Sequence, residues 1–205
     1  KRLHSDKSDF IHAIDDYRKA QKQMPISELD SMETYAMRTH TAGENASALI
    51  YACAMADFQA IDRDEYDIVA VTGNSMGWYI ALAAANALSP KSAIELINTM
   101  GSMMTNGVIG GQLIYPIVND KWQIDASLIT LLDNALIEAN KIADSEVYLS
   151  IELGGYRVFG GNSVGLKTFA QLLPMLEDRY PMNLFNHAAF HTPLLQSVAD
   201  NAQQI

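Results

Sequence analysis

The residues with the clearest chemical reach are Gly73-Asn74-Ser75-Met76-Gly77, a Gly-x-Ser-x-Gly stretch preceded by the β-branched run Val69-Ala70-Val71-Thr72 and followed by Trp78-Tyr79-Ile80-Ala81-Leu82-Ala83-Ala84. A strand, a tight glycine-flanked turn and a helix in that order make the setting of a nucleophile elbow. The glycines let the backbone turn sharply, and the serine hydroxyl is lifted to the positive end of the following helix. Ser75 is therefore the candidate nucleophile. The backbone N–H of Met76 falls in the first helical turn, where donors have no intrahelical partner, and is placed to meet a developing oxyanion. Glycine and serine are common loop residues, so the pattern alone also fits a structural turn. The flanking strand and helix patterns favour the catalytic reading.

A serine hydroxyl is essentially un-ionised near neutral pH and needs a base as it attacks. Histidine is the usual one, and the chain has five. His4, His12 and His40 lie in polar surroundings before the elbow and read as solvated surface residues. His187 and His191 remain, in Asn186-His187-Ala188-Ala189-Phe190-His191-Thr192-Pro193-Leu194-Leu195. The single cysteine, Cys53, lies in an alanine-rich helical pattern and reads as a small buried hydrophobe; it excludes a disulfide within the chain.

The elements that must hold these residues follow from periodicity. Residues 10–22 show a helical pattern with a polar face, and Met24-Pro25 ends it before a polar connecting region up to about residue 43. Residues 44–60 are apolar almost all round, as in a helix packed inside a larger core. Residues 67–72 read as a buried strand, 75–88 as a helix, and 90–104 as another opened by Ser89 as N-cap and Pro90 at the first position. Beyond Asn106-Gly107 and Gly110-Gly111 the pattern becomes strand 112–118, helix 126–141, strand 147–152, strand 156–159, helix 163–177 and a short extended piece at 182–185. That β-α-β-β-α-β order is ferredoxin-like. The expected architecture is α/β: an α/β-hydrolase-like large domain from residues 1–109 and 187–205, with a ferredoxin-like small domain, 110–186, inserted into it.

Composition narrows the function classes. The 205 residues are 49% hydrophobic and 19% charged, the balance of an ordinary globular protein. A net charge of −10 without clustered lysine or arginine argues against nucleic acid as a partner. No apolar run approaches the roughly 18 residues of a membrane span, and Lys1-Arg2-Leu3-His4-Ser5-Asp6 does not open a signal peptide. We infer a cytoplasmic protein with no membrane partner, no bound cofactor and no metal. Starting at Lys1 and stopping at Ile205 within a helical pattern, the chain reads as lacking residues at one or both ends.

Gly-x-Ser-x-Gly followed by Tyr79, Ala81-Leu82, Ala87-Leu88-Ser89 and a long helix resembles the malonyl-CoA:acyl carrier protein transacylase family, the acyltransferases of fatty acid and polyketide synthesis. Ala189-Phe190-His191-Thr192-Pro193-Leu194-Leu195 is similar to the segment carrying that family's catalytic histidine. Tyr156-Arg157-Val158-Phe159-Gly160-Gly161-Asn162 matches the second half of its ferredoxin-like insert. The resemblance runs from about residue 44 to 195. It implies His191 as the base for Ser75, Met76 as an oxyanion donor, an acyl-CoA donor, an acyl-serine intermediate, and an acyl carrier protein whose phosphopantetheine thiol accepts the acyl group. Asn74, Trp78, Met100 and Phe190 are the implied substrate-binding positions, and His187 is left with a structural role.

The chain departs from the family at several of these positions. The arginine that pairs with the malonyl carboxylate is replaced in Thr99-Met100-Gly101; Trp78 stands for a frequent glutamate and Asn74 for a frequent histidine. A carboxylate buried beside Met100 without a cation costs on the order of 3–5 kcal/mol, about two to three decades in rate or affinity. An uncharged acyl group is thus the better expected donor. The family's Gly-Gln-Gly oxyanion segment does not occur upstream of the elbow, and its segment that orients the imidazole does not follow within the chain. Three classes compete: a carrier-protein acyltransferase, a serine thioesterase that edits acyl groups, and a non-catalytic carrier-binding homologue. Transfer further predicts a basic patch for the acidic carrier, with Arg157 and Lys167 as candidates.

Overall fold

In the computed structural model the described residues, 7–105 and 108–204, divide into two compact units, Lys1–Asn106 and Gly107–Ile205. The first is helical. Helix α1 (Ser8–Ala20) buries Ile11, Ile14 and Arg18, which share one face at i, i+3 and i+7. The expected polar connector instead contains α2 (Ile26–Ser31), where Ile26 and Leu29, three apart, are fully buried and pull the segment into a helical turn, and a single turn, α3 (Met37–His40), tied down by His40 Nε2 to Leu29 O at 3.0 Å and by Asn45 Nδ2 to Thr39 O at 2.9 Å. Helix α4 (Gly43–Gln59) puts Ala48, Tyr51, Ala52 and Met55 into the core with Ile94 and Ile97 of α6 (Pro90–Met103), and α5 (Gly77–Ala84) adds Ala83. Helix α6 starts as expected: Ser89 Oγ accepts the Ser92 N–H at 3.1 Å, with Pro90 at the first position.

The polar centre of this unit is Arg18, 0% exposed. Its guanidinium donates to Met24 O at 2.7 Å, Glu44 O at 2.8 Å, Asn98 Oδ1 at 2.7 Å and Asn45 Oδ1 at 2.5 Å. One side chain thus ties α1 to α4 and α6. Burial pushes its pKa down, and Glu44 and Asp15 oppose that shift.

The strand expected at 67–72 does not form. No strand is found in this unit among the described residues, so the segment has no ladder to join, and Val69 is 95% exposed. A β-branched run makes a strand only where a neighbouring strand takes its backbone hydrogen bonds.

The second unit contains β1 (Gly111–Pro116), α7 (Ala126–Ala139), β2 (Val147–Leu153), β3 (Tyr156–Gly161), α8 (Ser163–Gln171) and β4 (Met182–Leu184), then a 3-10 turn (Pro193–Leu195) and α9 (Gln196–Ala202). The sheet is antiparallel throughout, in the order β2-β3-β1-β4, the split βαβ arrangement of a ferredoxin-like sheet. Leu113, Tyr115 and Phe159 point to one face and form the core with Leu132 and Ala135 of α7 and Phe169 of α8. Asp125 and Asn162 cap α7 and α8 through the N–H groups of Ser127 and Gly165. Helix α8 stops at Gln171, short of the expected 177, where Leu172-Leu173 lead into Pro174, and a proline disfavours helical conformation in the residue before it. The expected boundaries counted 187–205 with the large domain; in this division the segment falls in the second unit, where Ala189 N–H donates to Ile109 O at 2.9 Å.

Candidate active site

Ser75 sits at the turn into α5 with φ 54°, a left-handed conformation that costs a non-glycine residue about 1–3 kcal/mol. Its neighbours enforce that geometry. Gly77 N–H donates to Asn74 O at 2.8 Å, Trp78 N–H to Ser75 O at 3.1 Å and Tyr79 N–H to Met76 O at 3.1 Å. A Cβ on Gly73 would lie 2.0 Å from Gly77 O, so the chain folds back on itself only because residue 73 has no side chain. Gly77 differs: a Cβ there meets nothing within 4 Å. Of the expected strand–turn–helix elbow, the turn and the helix are present, closed at Gly73 with Ser75 left-handed, whereas the leading strand does not form and Gly77 contributes no steric requirement. Met76 is the N-cap residue of α5, so its N–H precedes the intrahelical ladder, while those of Gly77, Trp78 and Tyr79 are taken by the carbonyls three residues back.

In the turn, Asn74 and Trp78 are exposed, Trp78 at 64%; Met100 is half-buried on α6, two residues beyond the Asn98 that Arg18 holds. Phe190 and His191 belong to the second unit.

His191 is also in the left-handed region, at φ 56°. Its turn is built on the sheet. Phe190 N–H donates to Ala188 O at 2.7 Å, and buried Thr192 Oγ1 donates to Ala189 O at 2.6 Å. A Cβ on Gly160 of β3 would come within 2.7 Å of Thr192 Cγ2 and 3.4 Å of Phe190 O, so the turn rests directly on that strand. His187 and His191 are exposed as residues, yet each imidazole is partly packed. That partial burial disfavours the charged form and holds the pKa of each below the usual histidine value. A neutral imidazole is the form that accepts a proton.

Two residues that the sequence reading passed over line this turn. Gln112 of β1, 2% exposed, accepts from His187 Nδ1 at 2.7 Å and donates through Nε2 to Ser150 Oγ at 2.7 Å and Phe190 O at 3.3 Å. Ser150 Oγ donates to Phe190 O at 2.8 Å. The only sequence signal was a glutamine where the strand pattern calls for an apolar or surface residue.

The candidate basic patch is reduced. Arg157 is bound to Asp133 at 2.8 Å and Glu152 at 2.9 Å on its own unit, which neutralises it locally. Lys167 is exposed on α8 and lines an open groove of about 470 Å³ with Leu166, Gln171 and Asn183. No helix among the described residues is long and apolar enough to cross a membrane.

No protein-family model matches the sequence, and neither does any curated protein sequence. Solved structures do match. The malonyl-CoA:acyl carrier protein transacylase of Xanthomonas oryzae superposes with a TM-score of 0.76 at 19% identity, over 98% of this chain and 60% of that one. The transacylase of Streptococcus pneumoniae gives 0.71 at 20% identity, over 100% and 65%. A malonyl-transacylase solved in complex with its type II polyketide acyl carrier protein gives 0.73 at 15% identity, over 95% and 59%. The chain thus spans roughly three fifths of the length of the enzymes it matches. At these identities the likeness is one of architecture, and the chain has the fold of the malonyl-CoA:acyl carrier protein transacylases.

Proposed function

We propose that the protein is an S-acyltransferase that moves an acyl group from coenzyme A to an acyl carrier protein through acyl-Ser75. The observation that carries this reading is Ser75 itself, held at φ 54° at the start of α5 over a glycine pressed against Gly77. A strained non-glycine residue at a helix N-terminus is how a fold presents a nucleophile beside the N–H of the residue that follows it. In the first half-reaction the His191 imidazole takes the Ser75 proton as Oγ bonds to the thioester carbonyl carbon, and the Met76 N–H stabilises the resulting oxyanion. The C–S bond then breaks, and the imidazolium returns its proton to the coenzyme A thiolate. The second half-reaction runs the same steps in reverse with the phosphopantetheine thiol. Transfer to a carrier draws support from the architecture shared with a malonyl-transacylase solved in complex with its acyl carrier protein. The pathway is fatty acid or polyketide synthesis in the cytoplasm, and 110–186 is read as an insert within a domain made by 1–109 and 187–205.

Met100 at the arginine position favours an uncharged acyl donor over malonyl. It equally favours the editing thioesterase, because both reactions share the acyl-serine. Intact-mass spectrometry after brief incubation with malonyl-, acetyl- and longer acyl-CoA, with and without carrier protein, separates the readings. A Ser75-dependent adduct that passes to the carrier supports transfer, and Met100→Arg is expected to shift the preferred donor toward malonyl. An adduct lost to water supports the thioesterase, and no adduct with any donor supports a carrier-binding homologue.

A further inference from the structure

The turn that carries His191 is held by a directed chain of hydrogen bonds. Phe190 O has no proton to give, so Ser150 Oγ–H must donate to it; Gln112 Nε2 then donates to Ser150, and His187 Nδ1–H donates to Gln112 Oε1. Every link is short, between 2.7 and 2.8 Å, and Gln112 is buried, so a broken link leaves a polar group without water.

The strands are shaped to serve this chain. Gln112 alternates with Leu113, so it points to the sheet face opposite the one covered by α7 and α8. Its cross-strand partner is Gly160, the residue on which the 189–192 turn rests. Pairing of β2 with β3 shifts register between Leu149 and Ile151, which makes Ser150 the extra residue of a β-bulge. Bulges re-aim side chains at sites where a regular ladder would not deliver them. Here the residue at the bulge is the one that donates to the carbonyl immediately before His191.

We propose that Gln112 and Ser150 are positioning residues for the base, with His187 anchoring the far end: their hydrogen-bond chain fixes the Phe190–His191 peptide and thereby the left-handed conformation that aims the His191 imidazole. This rests on the acyl-Ser75 reading for its kinetic consequence, and on the geometry of the second unit alone for its conformational one.

The experiment compares the full chain with Ser150→Ala, Ser150→Thr and Gln112→Leu by two readouts. The first is the single-turnover rate and donor dependence of Ser75 acylation. The second is the backbone and imidazole NMR shifts of His191. Ser150→Ala removes the 2.8 Å donor to Phe190 O and leaves only the 3.3 Å bond from Gln112, and Gln112→Leu removes that second donor together with the support of Ser150; the weakened anchor misplaces the base, so both are expected to slow acylation about 10- to 100-fold with donor KM unchanged. Both are expected to move the His191 shifts, and Ser150→Thr, which keeps the hydroxyl, restores both readouts. His191 shifts that stay at their wild-type positions in Ser150→Ala and Gln112→Leu overturn the proposal, as does a full loss in Ser150→Thr. If the wild-type chain forms no acyl-serine, the acyltransferase reading fails and the NMR comparison alone decides the positioning.

Discussion

Replacing Arg18 by methionine tests whether one buried guanidinium organises the helices beneath the elbow. Methionine fills much of the volume but leaves four acceptors behind. Asn45 Oδ1 and Asn98 Oδ1 are buried and lose their charged donor outright, whereas the carbonyls of Met24 and Glu44 are partly buried and regain water at smaller cost. An unsatisfied buried acceptor costs about 1–3 kcal/mol, so the two asparagines account for about 2–6 kcal/mol. Part of this is offset, because the folded state no longer desolvates a guanidinium, the cost visible in the lowered Arg18 pKa. The net expectation is about 3–4 kcal/mol of lost stability. With a urea m-value of about 2 kcal/mol/M, the midpoint falls by about 1.5–2 M. The chain has two tryptophans, Trp78 in the first unit and Trp122 in the second, so fluorescence in a Trp122→Phe background reports the first unit alone. Arg18→Lys keeps the charge but not the planar fork that reaches four acceptors, and is expected to lose at least half as much. A midpoint shift below about 0.3 M for Arg18→Met refutes the argument. It would mean that Asn45 and Asn98 repartner without the arginine.

Two further outcomes follow from the site. Gly73→Ala places a methyl group 2.0 Å from Gly77 O, and backbone cannot yield as a side chain end can; the elbow must open, with acyl-Ser75 formation falling about 100-fold while the urea midpoint drops by the roughly 1–3 kcal/mol of an overpacked site. Retention of wild-type acylation in that variant would separate Ser75 reactivity from the turn. Because burial lowers the His191 pKa, the acylation rate should rise with pH to a midpoint below 6.5; a midpoint above that value contradicts a partly buried base. The linked stability has a definite sign. His187 and His191 bind fewer protons folded than unfolded, so their contribution is complete above 6.5 and is lost as pH falls through the lowered values; replacing both with glutamine should flatten the pH dependence of the urea midpoint on the acid side of neutrality.

Local patterns were legible wherever the determinant is local. Ser89-Pro90 marks the start of α6 because a cap and a fixed φ act within one turn. The order of elements from β1 to β4 could be read from period-two and period-3.6 runs, and the Gly-x-Ser-x-Gly turn from a glycine at 73, where a Cβ has no room. The run at 67–72 was misread because a strand is a property of a pair, and its β-branched residues could not announce whether a partner exists. Helix α2 was missed because two buried residues, Ile26 and Leu29, outweigh a polar segment only once a core is there to receive them, and the single turn of α3 buries no residue that a pattern could show.

The sequence by itself determined the nucleophile candidate, the two histidines that could serve it, and the ferredoxin-like order of elements, since each depends on residues adjacent along the chain. Tertiary structure alone decided that Arg157 is occupied by Asp133 and Glu152, that Arg18 binds Asn45 and Asn98, and that Gln112 and Ser150 meet at the carbonyl of Phe190. The buried and partly buried groups lie 27, 80, 78 and 40 residues apart, and even the exposed pair Arg157–Glu152, only five apart, meets because β2 and β3 fold back on each other. The physical reason is range: a cap or a turn is set by torsions within a few residues, whereas a buried hydrogen bond between distant segments exists only after packing has excluded the water that would otherwise satisfy both ends.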